Sequence, residues 1–112
     1  MTLAACAGPK ASFPNGKFVS EKDKAVSWQF NADGTSAYYF AGTEPVARGT
    51  YRIDGNVYTE TSNDVGSSDP ACRSGAKYNW SYKDGKLTFT VLSDDCKDRV
   101  GAYTGGTFVP EQ

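Results

Sequence analysis

The sequence predicts an all-β domain, a small antiparallel meander β-barrel of about eight strands. Two observations favour this fold class: apolar and polar residues alternate at period two, and turn residues recur roughly every 8–12 positions. A third observation excludes the main alternative, because no stretch repeats apolar residues at the spacing of an amphipathic helix. Closing such a meander into a barrel removes its exposed strand edges.

The first half of the chain contains a strand near 24–31, in which Trp28 lies on an alternating apolar face. The Asn-Ala-Asp-Gly sequence at 31–34 has the residues of a tight turn, and it leads into a return strand over 35–40. A Gly-Thr-Glu-Pro segment then interrupts the alternation. These elements predict the first antiparallel pairing of the barrel.

A second hairpin is predicted around Asp54-Gly55-Asn56. In the strand before this turn, Tyr51 and Ile53 share the face that we expect to point inward. Residues 57–61 pair back, and a polar loop over 62–76 follows.

The clearest hairpin lies between residues 78 and 91. Aromatic residues alternate with polar ones over 78–82, and apolar residues do the same over 87–91. Asp84-Gly85 between them is a typical two-residue turn. A last strand is predicted within 99–109. The outer face of this hairpin is polar, which indicates a sheet with one solvated side.

Composition excludes several classes of function. The chain has 112 residues, a size typical of one domain, and its 15 aromatic residues supply the apolar area of a core. It contains no histidine, which excludes histidine-dependent catalysis and histidine metal sites. The formal net charge of −1 argues against nucleic-acid binding. We therefore expect a monomeric, non-enzymatic protein without a cofactor or bound metal.

Two of the three cysteines indicate a disulfide. Cys72 and Cys96 lie in polar segments flanked by charged residues, unlike buried free cysteines. Pairing them would close a loop of about 25 residues and indicate an oxidising compartment. The alternative is two free thiols on the surface.

The third cysteine, Cys6, follows Leu3-Ala4-Ala5, which resembles the end of a bacterial lipoprotein signal. This resemblance implies lipidation of Cys6, which would be the protein's only attachment to a membrane. Residues 1–15 lack periodicity and are interpreted as an N-terminal tether, with residues 16–112 forming the barrel domain. The alternative is a free cysteine in a frayed terminus.

Three segments resemble the lipocalin-like (calycin) small barrels of bacterial envelope proteins. They are Gly49-Thr50-Tyr51-Arg52-Ile53-Asp54-Gly55-Asn56, residues 75–89 with their Tyr-Asn-Trp and Leu-Thr-Phe strands, and Asp94-Asp95-Cys96-Lys97-Asp98-Arg99. The resemblance covers residues 26–109. It implies an eight-stranded barrel and often a pocket for a small apolar molecule. One departure is the first strand at 16–19, where lipocalins usually have Gly-x-Trp.

Aromatic residues are the main candidates for a ligand site. Such rings can bury a small molecule while hydroxyl groups orient it, although in a barrel this small most rings are expected to be ordinary core. Tyr58 lies on the opposite parity to the core and is a candidate for an exposed aromatic patch. The predicted ligand-binding residues are Trp28, Tyr39, Tyr51, Trp80 and Arg99.

Arg99 belongs to the densest charge cluster of the chain, with Asp94, Asp95 and Asp98. It could hold a ligand carboxylate in bidentate fashion. The alternative is a solvated loop in which Arg99 caps the barrel and pairs with a neighbouring aspartate.

A second class of function comes from another resemblance. Ser74-Gly75-Ala76-Lys77-Tyr78 resembles a stretch of the membrane-bound inhibitors of c-type lysozyme, in which a serine and a basic residue enter the enzyme's cleft. This implies a protein-interaction module acting through loop 66–77, with Ser74 and Lys77 in those roles. The preferred prediction remains a bacterial envelope or periplasmic lipoprotein that binds a small apolar or amphipathic molecule in a shallow pocket of the barrel.

Overall fold

A computed structural model describes residues 12–65 and 70–111 of the chain, with the backbone alone at 63–65. Within that part, eight antiparallel strands form a closed barrel in which each strand pairs with its neighbours in sequence and the last pairs with the first. The strands are β1 (Gly16–Ser20), β2 (Val26–Phe30), β3 (Thr35–Phe40), β4 (Ala47–Asp54), β5 (Val57–Val65), β6 (Gly75–Lys83), β7 (Lys86–Ser93) and β8 (Phe108–Pro110). The predicted all-β meander barrel is thereby confirmed.

The predicted turns join these strands where the residue types allow unusual backbone angles. Asp84 and Gly85 both have positive φ, +55° and +74°, which is the conformation of the two-residue turn that matches strand twist. Gly55, between β4 and β5, has φ +61°. Each short turn sets the register of its hairpin, so that Ile53 pairs with Tyr58 and Trp80 with Phe89.

The interior of the barrel is filled mainly by aromatic rings. Tyr58, Tyr78 and Tyr103 are fully buried, and Phe30 and Phe89 lie among them. Neighbouring ring centroids in this cluster are 4.6 to 6.2 Å apart, the shortest distance being that between Tyr78 and Tyr103. The rings therefore supply the core that the few aliphatic residues cannot.

One end of the barrel is closed by Phe13. Its ring packs edge-on against Phe30 and Trp80, with centroids 5.1 Å away in both cases, and also touches Tyr51 and Tyr58. Phe13 lies within the segment interpreted from the sequence as a tether. Cys6, the predicted lipidation site, lies outside the described residues.

The sequence did not predict the helix α1 (Lys97–Thr104), which precedes β8 and covers part of the other end. Its buried face consists of Arg99 and Tyr103, four residues apart. Because arginine counts as polar, this face does not show as an apolar stripe. The helix begins at Cys96, whose sulfur accepts a hydrogen bond from the backbone N–H of Arg99 at 3.4 Å. Cysteine is not one of the preferred N-cap residues, which are Ser, Thr, Asp, Asn and Gly, so the capping position did not indicate a helix either.

The predicted polar loop over 62–76 is shorter than expected. β5 continues to Val65, and a 3-10 helix (Pro70–Arg73) leads directly into β6. Hydrogen-bonded pairing with β4 extends to Ala47 opposite Val65, past a bulge between Arg48 and Gly49. A Cβ at position 49 would lie only 2.6 Å from the carbonyl oxygen of Thr61. Because glycine has no Cβ, the backbones of β4 and β5 can approach each other closely at Gly49.

Candidate functional site

A cavity of about 190 Å³ opens at the end of the barrel opposite Phe13. The β3–β4 connection, the 3-10 helix and α1 surround it. Its walls are mostly apolar, and its charged residues are Glu60, Asp98 and Arg99. The remaining lining residues are Trp28, Tyr38, Val46, Ala47, Ser62, Cys72, Cys96 and Ala102.

Glu60 is the buried carboxyl group of this cavity, with 3% of its surface exposed. It accepts hydrogen bonds from the Tyr58 hydroxyl at 3.0 Å and from the Ser62 hydroxyl at 2.8 Å. The Tyr58 hydroxyl also shares a 2.6 Å hydrogen bond with that of Tyr103. One hydrogen bond to each carboxylate oxygen leaves further acceptor capacity on both.

Arg99 is held beside Glu60 by a buried ion pair with Asp94. Its Nε and Nη2 each donate to a different carboxylate oxygen of Asp94 at 2.8 Å, and the side chains are 6% and 0% exposed. Its Nη1 donates to the Ser62 hydroxyl at 2.9 Å and to the Cys72 carbonyl at 3.2 Å. Asp94 also accepts hydrogen bonds from the Tyr78 hydroxyl and the backbone N–H of Cys96.

This arrangement corresponds to the alternative in which Arg99 caps the barrel and pairs with an aspartate, although the pair is buried and not in a solvated loop. The described hydrogen bonds occupy four of the five N–H donors of the guanidinium, two with Asp94 and one each with Ser62 and the Cys72 carbonyl. A ligand carboxylate would have to compete with Asp94 for the same bidentate geometry. Arg99 therefore lines the cavity as a neutralised group.

The pKa values of the two carboxyl groups move in opposite directions. Burial raises the pKa of Glu60 to about 7, and the hydrogen bonds from Ser62 and Tyr58 offset only part of that rise. Burial also acts to raise the pKa of Asp94, but the hydrogen bonds from Arg99 and Tyr78 outweigh it and hold that pKa below its ordinary value of 3.8. Near neutral pH, Asp94 is ionised and Glu60 exists in both forms.

Protein stability is expected to fall as the pH rises from 5 to 8. The pKa of Glu60 is about 7 when folded against 4.5 ordinarily, so the folded state keeps a proton that the unfolded chain releases. The stabilisation is fully present below pH 4.5 and is lost as the pH passes 7, a difference of roughly 2–3 kcal/mol in unfolding free energy between pH 5 and 8. Urea unfolding across this range measures it.

The variant Glu60→Gln provides the control, because an amide cannot titrate and still offers an oxygen to Tyr58. Its unfolding free energy is expected to be nearly flat over the same range. Asp94 contributes in the opposite sense, but only as the pH falls below its ordinary pKa of 3.8. An equal slope in the wild type and in Glu60→Gln would contradict this assignment.

The predicted ligand residues are divided between different parts of the barrel. Trp28 and Arg99 both line the cavity, and the Trp28 indole N–H donates to the Ala102 carbonyl at 3.4 Å. Tyr51 and Trp80 lie at the opposite end, against Phe13. Tyr39 contacts Lys17, whose Nζ lies 4.6 Å from the ring centroid. The cavity thus brings together two of the five.

Tyr58 does not form an exposed aromatic patch, because its side chain is fully buried. The reason lies in the register of the β4–β5 hairpin, where Ile53 pairs with Tyr58 and Tyr51 with Glu60. Directly paired residues point to the same face of a sheet. Because Tyr51 and Ile53 are expected to point into the barrel, their partners Glu60 and Tyr58 must point inward as well. That rule would have revealed both residues from the sequence. Ser62, placed in the polar loop by the sequence analysis, was missed as well.

The predicted Cys72–Cys96 disulfide is confirmed. It joins the 3-10 helix to the N-terminus of α1, and both cysteines line the cavity. Each is 2% exposed, so the alternative of surface thiols is wrong. Ser74 and Lys77 are exposed, but residues 66–69 of the proposed interaction loop lie outside the described residues, and that alternative stays a prediction.

Comparisons with protein-family models, curated proteins and solved structures found no match for this chain. In the described ranges, no three His, Cys, Asp or Glu residues are grouped so as to hold a metal ion. The helices of residues 12–65 and 70–111 are also too short and too polar to cross a membrane.

Proposed function

We propose that this protein is a non-enzymatic binding protein that takes up one small amphipathic molecule in the cavity beside Glu60. The observation that carries the proposal is the combination of mostly apolar walls with a buried carboxyl group that has spare acceptor capacity. Binding sites for small molecules typically pair an apolar surface with a few convergent polar groups. Trp28, Val46 and Ala102 would contact the apolar part of the ligand.

The size of the cavity limits the ligand. A protein cavity of about 150 Å³ is enough to bind benzene. The 190 Å³ here therefore suits one ring, or a branched chain of similar size, with a short polar substituent. A larger ligand would have to extend out of the cavity opening or displace the aromatic core, in which Tyr58 and Tyr103 are fully buried.

We further propose that the protein is a lipocalin-like lipoprotein of the bacterial envelope or periplasm. The closed antiparallel meander of eight described strands supports the lipocalin-like assignment. The disulfide supports an oxidising compartment, since such bonds persist there. A lipid on Cys6 would then attach the barrel to the membrane surface.

The two tryptophans allow a direct test, because they lie at opposite ends of the barrel. The Trp28 indole N–H is at the cavity, whereas that of Trp80 donates to the Gly55 carbonyl at 3.0 Å. Titration with 2-phenylethanol is expected to shift the Trp28 indole resonance in a saturable manner and to leave that of Trp80 in place. NMR of ¹⁵N-labelled protein measures both signals in one spectrum.

A cavity-filling variant supplies the specificity control. Ala102→Phe is expected to abolish the saturable shift, whereas Ala32→Phe, an equal enlargement at an exposed turn near the other end, should preserve it. The proposal is overturned if millimolar 2-phenylethanol leaves Trp28 unchanged. It is also overturned if Ala102→Phe and Ala32→Phe bind the probe equally well.

A further inference from the structure

The nature of the ligand's polar group follows from the charges around the cavity. We propose that the cavity selects a small organic cation, a primary or secondary ammonium on a compact apolar body, whose nitrogen sits on Glu60 and whose body packs beside Trp28. This inference rests on the proposed binding function and specifies the chemical class of its ligand.

The charge balance of the described residues favours a cation. Three carboxyl groups, those of Glu60, Asp94 and Asp98, lie in or directly behind the cavity wall, against the one guanidinium of Arg99. Asp94 neutralises Arg99 through two hydrogen bonds of 2.8 Å. The charge of Arg99 also acts on Glu60, but the described hydrogen bonds of Arg99 go to Asp94, Ser62 and the Cys72 carbonyl, so among the described residues an ionised Glu60 has no direct cationic partner. A buried charge is stabilised strongly by a partner of opposite sign, and an ammonium group would supply it.

The hydrogen-bonding capacity of Glu60 agrees with an ammonium ligand. Tyr58 and Ser62 each use one acceptor position, one on each carboxylate oxygen. An ammonium group carries only donors, so it matches the positions that remain. A ligand carboxylate would bring a second negative charge to Glu60 and would have to displace Asp94 from Arg99.

The aromatic wall adds a second attraction for a cation. Trp28 and Tyr38 both line the cavity with ring centroids 4.7 Å apart, and the ring of Tyr103 is stacked on Trp28 at 4.2 Å, which leaves the other face of the indole and the Tyr38 ring for a ligand. The negative potential of aromatic π-systems attracts an adjacent ammonium group, most strongly where water is excluded. A neutral alcohol of the same shape would make the same apolar contacts. It would gain neither the attraction to the ionised Glu60 nor the attraction to the aromatic rings.

Binding of a cation is expected to be coupled to the ionisation of Glu60. Burial gives this carboxyl group a pKa of about 7, so the apo protein carries a proton there at pH 6 and has largely lost it at pH 8. An ammonium ligand favours the ionised form and expels the proton. Within the part of the chain that the structure describes, the other titratable or charged groups that face Glu60 or the cavity are Tyr38, Tyr58, Tyr78, Asp94, Asp98, Arg99 and Tyr103.

The test compares 2-phenylethylamine with 2-phenylethanol, which have the same ring and chain and differ in charge. Dissociation constants are measured from the Trp28 indole shift at pH 6 and pH 8. The amine stays protonated over this range, so its affinity is expected to rise roughly tenfold as Glu60 ionises. The affinity of the alcohol is expected to change less than about twofold.

Two variants test whether amine binding depends on the carboxyl group of Glu60 in particular and not on the loss of any one negative charge. At pH 8, Glu60→Gln is expected to weaken amine binding about tenfold or more and to remove its pH dependence. Glu111→Gln makes the same change at an exposed position and should leave amine binding unaltered. If Glu60→Gln does not fold, the pH dependence of the wild type and a few-fold weakening in Asp98→Asn decide the question.

The outcomes distinguish this inference from the proposed function. If the alcohol binds and the amine binds no more tightly at either pH, cation selection is wrong and the binding function stands. If neither probe shifts Trp28, the proposed function itself fails. Amine affinity that rises with pH in the wild type, and is flat in Glu60→Gln, supports both.

Discussion

Replacement of Arg99 by leucine is expected to lower the free energy of unfolding by about 3–5 kcal/mol. The change removes the charge partner of Asp94, whose side chain is fully buried, and leaves that carboxylate with Tyr78 and a backbone N–H as its only described donors. Ser62 and the Cys72 carbonyl each lose a hydrogen bond as well. Chemical denaturation at pH 7 measures the loss.

The chain offers a matched control at its surface. Arg52 and Asp54 form an ion pair at 3.4 Å, but their side chains are 72% and 69% exposed. Arg52→Leu is expected to change stability by no more than about 0.5 kcal/mol, because exposed pairs contribute little. Equal effects of Arg99→Leu and Arg52→Leu would show that the buried pair does not support the fold.

A double variant tests whether the cost of Arg99→Leu comes from the isolated aspartate. Asp94→Asn combined with Arg99→Leu is expected to be less destabilised than the sum of the single changes, since it leaves no unpaired buried charge. The expected coupling is about 1–3 kcal/mol. Strict additivity would assign the loss to packing of the arginine stem instead.

Much of the barrel could be predicted because local residue patterns determine hairpins. Asp84 and Gly85 adopt positive φ angles that few other residue pairs accept, and the alternation on either side fixes which residues face inward. The helix α1 was missed because its buried face is formed by Arg99 and Tyr103. Arg99 can be buried only because Asp94 pairs with its charge, and the helical periodicity of apolar residues does not show this pairing.

The candidate site was predicted only in part, and the reasons differ between residues. Glu60 could have been found, because its pairing with Tyr51 follows from the length of the β4–β5 turn. Arg99 was identified by its charge cluster, although not its engagement with Asp94. Tyr103 reaches Tyr58 across 45 positions of sequence, and a contact of this kind depends on barrel closure and not on local pattern.

Removal of the Cys72–Cys96 disulfide is expected to lower stability by about 3.5 kcal/mol, because a crosslink between residues 24 positions apart restricts the unfolded chain. For a domain of this size, the corresponding fall in Tm is on the order of 15 °C or more. Cys72→Ala combined with Cys96→Ser provides the test. Serine retains an N-cap acceptor for the N–H of Arg99, so the start of α1 is preserved.

Loss of the disulfide should also weaken binding at the cavity, since the bond ties the 3-10 helix to α1 and both of its cysteines line the site. The Trp28 shift with 2-phenylethanol is therefore expected to require a higher probe concentration in the double variant.

A reductant should lower the Tm of the wild type to that of the variant and leave the variant unchanged. Cys6→Ser, which keeps the disulfide, should match the wild type in both measurements. If complete reduction of the wild type changed neither its Tm nor the probe concentration needed for the Trp28 shift, the crosslink would contribute to neither property.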